Sequence, residues 1–232
     1  MKAPDSAPAV QAAAVPVRVW DWPVRLFHWA LVLLLISQVT TALIGGSAMD
    51  WHLRGGYAVL ALVLFRIGWG LVGSHHARFR TFVRGPRAVT GYVRATIARR
   101  HEPVAGHTPA GGWMVLSLLV LLLAQAVAGL FANDEVATEG PLAKLVSDAT
   151  SELLSSFHRR TAWVIVALAG VHVAAVLYYL LALRENLISA MVSGDKRLPP
   201  HLVRAERQAP VSRALAVLAC CVLAVWWVVN RL

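Results

Sequence analysis

The sequence predicts an all-α integral membrane protein: a four-helix transmembrane bundle plus a fifth C-terminal transmembrane helix. Three observations carry that. Hydrophobic residues fill 58% of the 232 positions and charged ones only 15%, far from a soluble domain's average. Apolar runs of about 20 residues, enough to cross ~30 Å of hydrocarbon as helix, recur along the chain. Charges gather between those runs, and one sign dominates each long connection.

Residues 1–17, "MKAPDSAPAVQAAAVPV", are rich in alanine and proline without a continuous apolar core, which predicts a disordered cytoplasmic tail. The first span, about 26–46, follows "WPVRLFHW" and serves as an uncleaved insertion signal. A short turn at 47–51 leads into a second span at 53–72, and further spans follow at 112–131 and 161–183. Residues 18–195 thus form the transmembrane core domain, 196–210 a cytoplasmic linker, and 211–232 the extra helix. That last span, 211–230, carries Arg213 near its start and is read as a packing or anchoring element. Its adjacent Cys220 and Cys221 point about 100° apart on a helix, which argues against a disulfide between them. No Cys-x-x-Cys-His occurs, excluding covalent c-type haem attachment, and no thiolate cluster suits zinc or iron–sulfur.

The net charge of +10 does not point to nucleic acid, because the basic residues follow the connections. Residues 74–112 hold Arg78, Arg80, Arg84, Arg87, Arg94, Arg99 and Arg100 against Glu102. Residues 184–210 add Arg184, Lys196, Arg197, Arg204 and Arg207. The loop 132–157 is the reverse, with Asp134, Glu135, Glu139, Asp148 and Glu152 against Lys144. The positive-inside rule puts the basic loops in the cytoplasm and the acidic one outside. The expected topology is a multi-pass protein of a bacterial inner membrane, N-terminus cytoplasmic and C-terminus outside. The acidic loop could also dock a basic soluble partner through Glu135, Glu139 and Asp148.

With directions assigned, four histidines take matching depths. His28 opens the first span near the inner face and His52 opens the second near the outer face. On the fourth span His158 lies near the outer face and His172 deeper. Fourteen residues apart, these two stand within about 40° of one helix face and about 21 Å apart along it. His52 can meet His158, and His28 can meet His172, which is the geometry for two stacked haems with two axial imidazoles each. Six-coordinate iron leaves no vacant position for dioxygen, so electron transfer is the natural work. A flat apolar cofactor suits a helix bundle, and Gly55, Gly56, Gly129, Ala169 and Gly170 could admit its ring or serve helix packing.

Arg66, fourteen residues after His52, falls on the same face at the inner level. A haem propionate would partner it; snorkelling to the cytoplasmic surface is the other reading. His75, His76, His101, His107 and His201 lie in expected cytoplasmic loops, where solvated or capping roles are the default. A different class, a transporter or proton conductor using histidine relays without haem, is disfavoured. No Asp or Glu occurs at 22–49, 53–101 or 153–184, and relays generally use carboxylates.

The run Arg25-Leu26-Phe27-His28-Trp29, the start His52-x-x-Gly55-Gly56, "FRIGWG" at 65–70 and the His158/His172 pair resemble the prokaryotic cytochrome b561 and nickel–iron hydrogenase cytochrome b subunit family. "FVRGPRAVTGYV", "GHTPAGGWM" and "EGPLAKLVSDAT" resemble its hydrogenase-type subgroup. The resemblance covers about 18–195. It implies a four-helix core with two non-covalent b-type haems, axial ligands His28, His52, His158 and His172, and electron exchange between a quinone pool and a redox partner. That partner would be a hydrogenase, another dehydrogenase or a cytochrome c. The span after 210 departs from the family pattern.

Overall fold

The computed structural model describes residues 14–100, 103–134, 138–203 and 207–231. His101, Glu102, Glu135 and Arg204 lie outside the described residues, and of His201 only the backbone is described. Among the described residues five helices are long and apolar enough to cross a membrane: α1 (Trp22–Ile44), α2 (Met49–Val72), α5 (Pro109–Leu130), α6 (Asp148–Leu181) and α8 (Val211–Arg231). Short helices α3 (Phe79–Phe82) and α4 (Pro86–Ile97) connect α2 to α5, and α7 (Leu187–Ser193) follows α6. All the long connections except that between α5 and α6 lie at one end, the basic-loop end. The other is the acidic-loop end.

The helix starts are written locally. Asp21 caps α1 by accepting from the Val24 amide at 2.9 Å, with Pro23 in the first turn. Thr108 caps α5 in the same way, followed by Pro109, and Ser147 caps α6. Proline suits this position because its missing N–H would have had no partner there. α6 starts well before the expected 161, at Asp148. Its 34 residues give about 51 Å of helix, more than a hydrocarbon core needs. The excess is the polar stretch at the acidic-loop end, which carries Asp148, Glu152, Arg159 and Arg160.

Helix α2 is central. It packs against α1, α5 and α8, while α6 packs on α5. The pairing of α1 with α6 is not among the close ones, so a cleft runs between α6 and the α1–α2 pair. The fifth span is a packing helix on α2: a Cβ at Gly68 would meet Val217 at 2.9 Å, and Arg213 Nη1 donates to the Val72 carbonyl at 3.0 Å.

Two expected domain limits shift. Val15–Arg18 form a strand, β1, antiparallel to β2 (Asp195–Leu198), so Val15–Val17 of the expected tail pair in a sheet and the expected linker begins inside one, while residues 1–13 of that tail lie outside the described residues. Ladder hydrogen bonds and the Arg18–Asp195 ion pair at 2.6 Å fix this two-stranded ribbon. Beside it the Gly194 carbonyl accepts from the Val19 and Trp20 amides, and Gly194 itself has φ +90, a conformation glycine adopts freely. Lys196 ties the ribbon inward, pairing with Glu185 at 2.5 Å and donating to the Val104 carbonyl at 2.7 Å.

Asp21 joins cap to core, since its Oδ2 accepts from Trp69 Nε1 at 2.9 Å and Trp69 is fully buried. Asp21→Ala removes the cap, worth about 1 kcal/mol, and leaves a buried indole N–H unpaired at about 1–3 kcal/mol. Thermal unfolding in detergent is expected to shift clearly downward, with Asp21→Asn intermediate; an unchanged midpoint would show that neither bond matters.

Candidate functional site

The cleft beside α6 is bridged by two pairs of imidazoles. His52 of α2 and His158 of α6 have ring centres 6.1 Å apart. His28 of α1 and His172 of α6 have theirs 6.4 Å apart. All four are half-buried. These separations are too long for a direct ring-to-ring hydrogen bond with stacked contact, and they suit a shared metal. Two in-line metal–imidazole bonds of about 2 Å, plus the offset from each nitrogen to its ring centre, place the centres roughly 6.3 Å apart. The spacing of His158 and His172 on one helix puts the pairs on two levels, and neither cross-combination shares a level.

The pair toward the acidic-loop end is oriented by the backbone. His52 Nδ1 lies 3.1 Å from the Gln38 carbonyl, and Thr41 Oγ1 is 3.3 Å away. His158 Nδ1 lies 2.9 Å from the Gln125 carbonyl. A carbonyl only accepts, so each Nδ1 carries the proton and each Nε2 keeps its lone pair, the state of an iron ligand. Around this pair opens a cavity of 520 Å³, lined mainly by apolar side chains, within the roughly 300–1,000 Å³ usual for cofactor pockets. Gly56, Gly129 and Ala169 line it, whereas Gly55 packs on the Gln38 side chain and a Cβ at Gly170 would meet nothing within 4 Å. Gly129 faces a histidine directly: an added Cβ would stand 2.9 Å from His158 Cε1.

At the other level His28 Nδ1 is shut off from solvent and makes no hydrogen bond. Arg66 is buried at 2% exposure, which excludes snorkelling to the surface. Its Nη1 donates to the Ala77 carbonyl at 3.2 Å and its guanidinium lies over the Phe79 ring at 5.4 Å. Its Nη2 is buried without a partner. Asp21 is the acid whose charge it feels, but both Asp21 oxygens are already engaged by Val24 and Trp69.

One histidine departs from its expected solvated role. His107 packs edge-on against Trp20, ring centres 4.6 Å apart, and against Phe82 at 4.3 Å, with Nδ1 closed off from solvent. Burial and the nearby Arg66 charge push its pKa down to about 3, so it is neutral. The only sequence signal was the Thr108-Pro109 cap that follows it, which fixes where the chain turns into α5. The backbone acceptors of Gln38 and Gln125 left no sequence signal at all.

Residues 19–194 match the family described as prokaryotic cytochrome b561. The chain is also similar to proteins named probable Ni/Fe-hydrogenase B-type cytochrome subunit. One from Bradyrhizobium diazoefficiens is 25% identical over 78% of this chain and 86% of its own length. One from Azotobacter chroococcum is 27% identical over 77% and 87%, and one from Azotobacter vinelandii 26% over 77% and 87%. No solved structure matches. A membrane cytochrome of the b family carries b-type haem, which leaves the haem-free relay without support. The chain belongs to the prokaryotic cytochrome b561 family, as a multi-pass bacterial membrane cytochrome of electron transfer.

Proposed function

We propose that this cytochrome holds two b-type haems on two levels and passes electrons between the quinone pool and a redox partner. His52 and His158 ligate one haem and His28 and His172 the other. The observation that carries the reading is the pair of ring separations, 6.1 and 6.4 Å, each of the size that a bridging metal requires. Bound b-type haem supplies a one-electron iron couple, and two neutral imidazoles hold it six-coordinate. The chain does the rest. The Gln38 and Gln125 carbonyls fix the His52 and His158 rings, α6 sets the spacing between levels, and the apolar cleft wall keeps water from the iron.

The basic connections face the cytoplasm, so the N-terminus is inside, the C-terminus outside, and the His52/His158 level is the outer one. Electrons then cross most of the membrane between the two levels. The relatives' names favour a hydrogenase as the redox partner; another dehydrogenase or a cytochrome c would suit the acidic outer loop.

Purified protein is expected to be red, and a pyridine-haemochrome assay to give about two non-covalent haems per chain, as two bis-histidine sites require. A value near one, with the protein folded and the quinone-reducible signal intact, would reduce the reading to a single haem.

A further inference from the structure

We propose that Arg66 and His107 together form the receptor for a carboxylate, the propionate of the haem between His28 and His172. The inference rests on the two-haem reading above. Its basis is a pair of orphaned polar atoms in one neighbourhood. Arg66 Nη2 and His107 Nδ1 are both closed off from solvent and both lack a hydrogen-bond partner. The two side chains flank one ring: the Arg66 guanidinium lies 6.0 Å from the Phe82 centre, and the His107 ring 4.3 Å from it. His107 is within electrostatic range of Arg66 and also of His172, which places the pair beside the haem level in question.

A buried guanidinium N–H and a buried imidazole nitrogen left without partners have lost their water and gained nothing in exchange, which disfavours the fold. No carboxylate of the described residues lies within ion-pair distance of Arg66, and Asp21 has both oxygens committed elsewhere. An acceptor that brings negative charge satisfies both atoms at once. A carboxylate oxygen can accept from Arg66 Nη2 while its mate accepts from His107, whose neutral ring carries the proton on Nδ1 in one tautomer. The haem is the source of such a group that the His28–His172 pair brings to this level. Arg66 and His107 are positioning residues: they hold the ring's edge and do not touch iron.

The test uses full-length holoprotein in detergent carrying His52→Ala, so that the haem of the His28–His172 level is observed alone. Resonance Raman reads the propionate bending bands, and a redox titration reads the midpoint. His107→Gln and Arg66→Gln are each expected to shift the propionate bands. Arg66→Gln is also expected to lower the midpoint, because a lost positive charge favours ferric iron; Arg66→Lys should restore the midpoint but not the bands. Unmoved bands in both glutamine variants, as for a free anion at the pair, would overturn the proposal. So would equal shifts when the same variants are made in a His28→Ala parent, which keeps only the other haem. Should Arg66→Gln fail to fold, His107→Gln decides, since it removes no charge. Haem content of the parent separates the readings: too little haem overturns the two-haem assignment, whereas full haem with unmoved bands overturns only this one.

Discussion

Alanine at His52 or at His158 is expected to alter one and the same haem, and alanine at His28 or at His172 the other. In each case haem content is expected to fall toward half, or the affected iron to turn from low-spin six-coordinate to high-spin. The effect is large because each variant leaves its iron with one of two imidazoles, and among the described residues no group of three or more histidine, cysteine or carboxylate side chains gathers to hold a metal. The separation is expected to be clean because each ring faces only its own partner, with centres 6.1 and 6.4 Å apart. About 21 Å of α6 lies between His158 and His172, too far for one imidazole to serve the other level. Haemochrome assay and low-temperature spectra of the four variants check it. A His52 variant that behaves like a His172 variant would overturn the pairing and the topology together.

The sequence carried the spans and the histidine levels because both are local patterns. A run such as "LVLLLISQVTTALI" is apolar wherever it goes, and a fourteen-residue spacing on one helix fixes a shared face whatever packs against it. The start of α6 was hidden for the complementary reason. Apolarity marks where a helix is in lipid, not where it begins, and residues 148–160 continue the same helix in polar side chains under the Ser147 cap. The β1–β2 ribbon joins residues some 180 positions apart, Arg18 with Asp195 being one rung. Its register follows from how the basic-end loops close, which no window of sequence contains. His107 shows the same limit: its burial depends on Trp20, from the segment before α1, and on Phe82, from the far part of its own connection. Arg66, by contrast, was legible as a charge in a span, and its burial removes the snorkelling reading.

Gly129→Ala is expected to damage the haem between His52 and His158 and to spare the other. By helix propensity alone the change should help, by about 0.5–1 kcal/mol, since alanine is the better helix residue. Space reverses the sign. The added Cβ would stand 2.9 Å from His158 Cε1 and 3.1 Å from Nδ1, closer than packed carbon and nitrogen atoms stay. The ring has little freedom to retreat, because its Nδ1 is held at 2.9 Å by the carbonyl of Gln125, one turn earlier on the same helix. Either that bond lengthens and the ring swings, or α5 and α6 move apart; in both cases the separation from His52 no longer fits a shared iron. Loss of the Nδ1–H donation also lowers the basicity of the imidazole as a ligand, so any haem retained at this level should titrate at a higher potential. Gly91→Ala is the control, being a helical glycine with nothing within 4 Å of an added Cβ. Haem content and midpoints measured on both variants decide the matter: unchanged values in Gly129→Ala would mean that the His158 ring does not stand against α5 in the haem-bound protein.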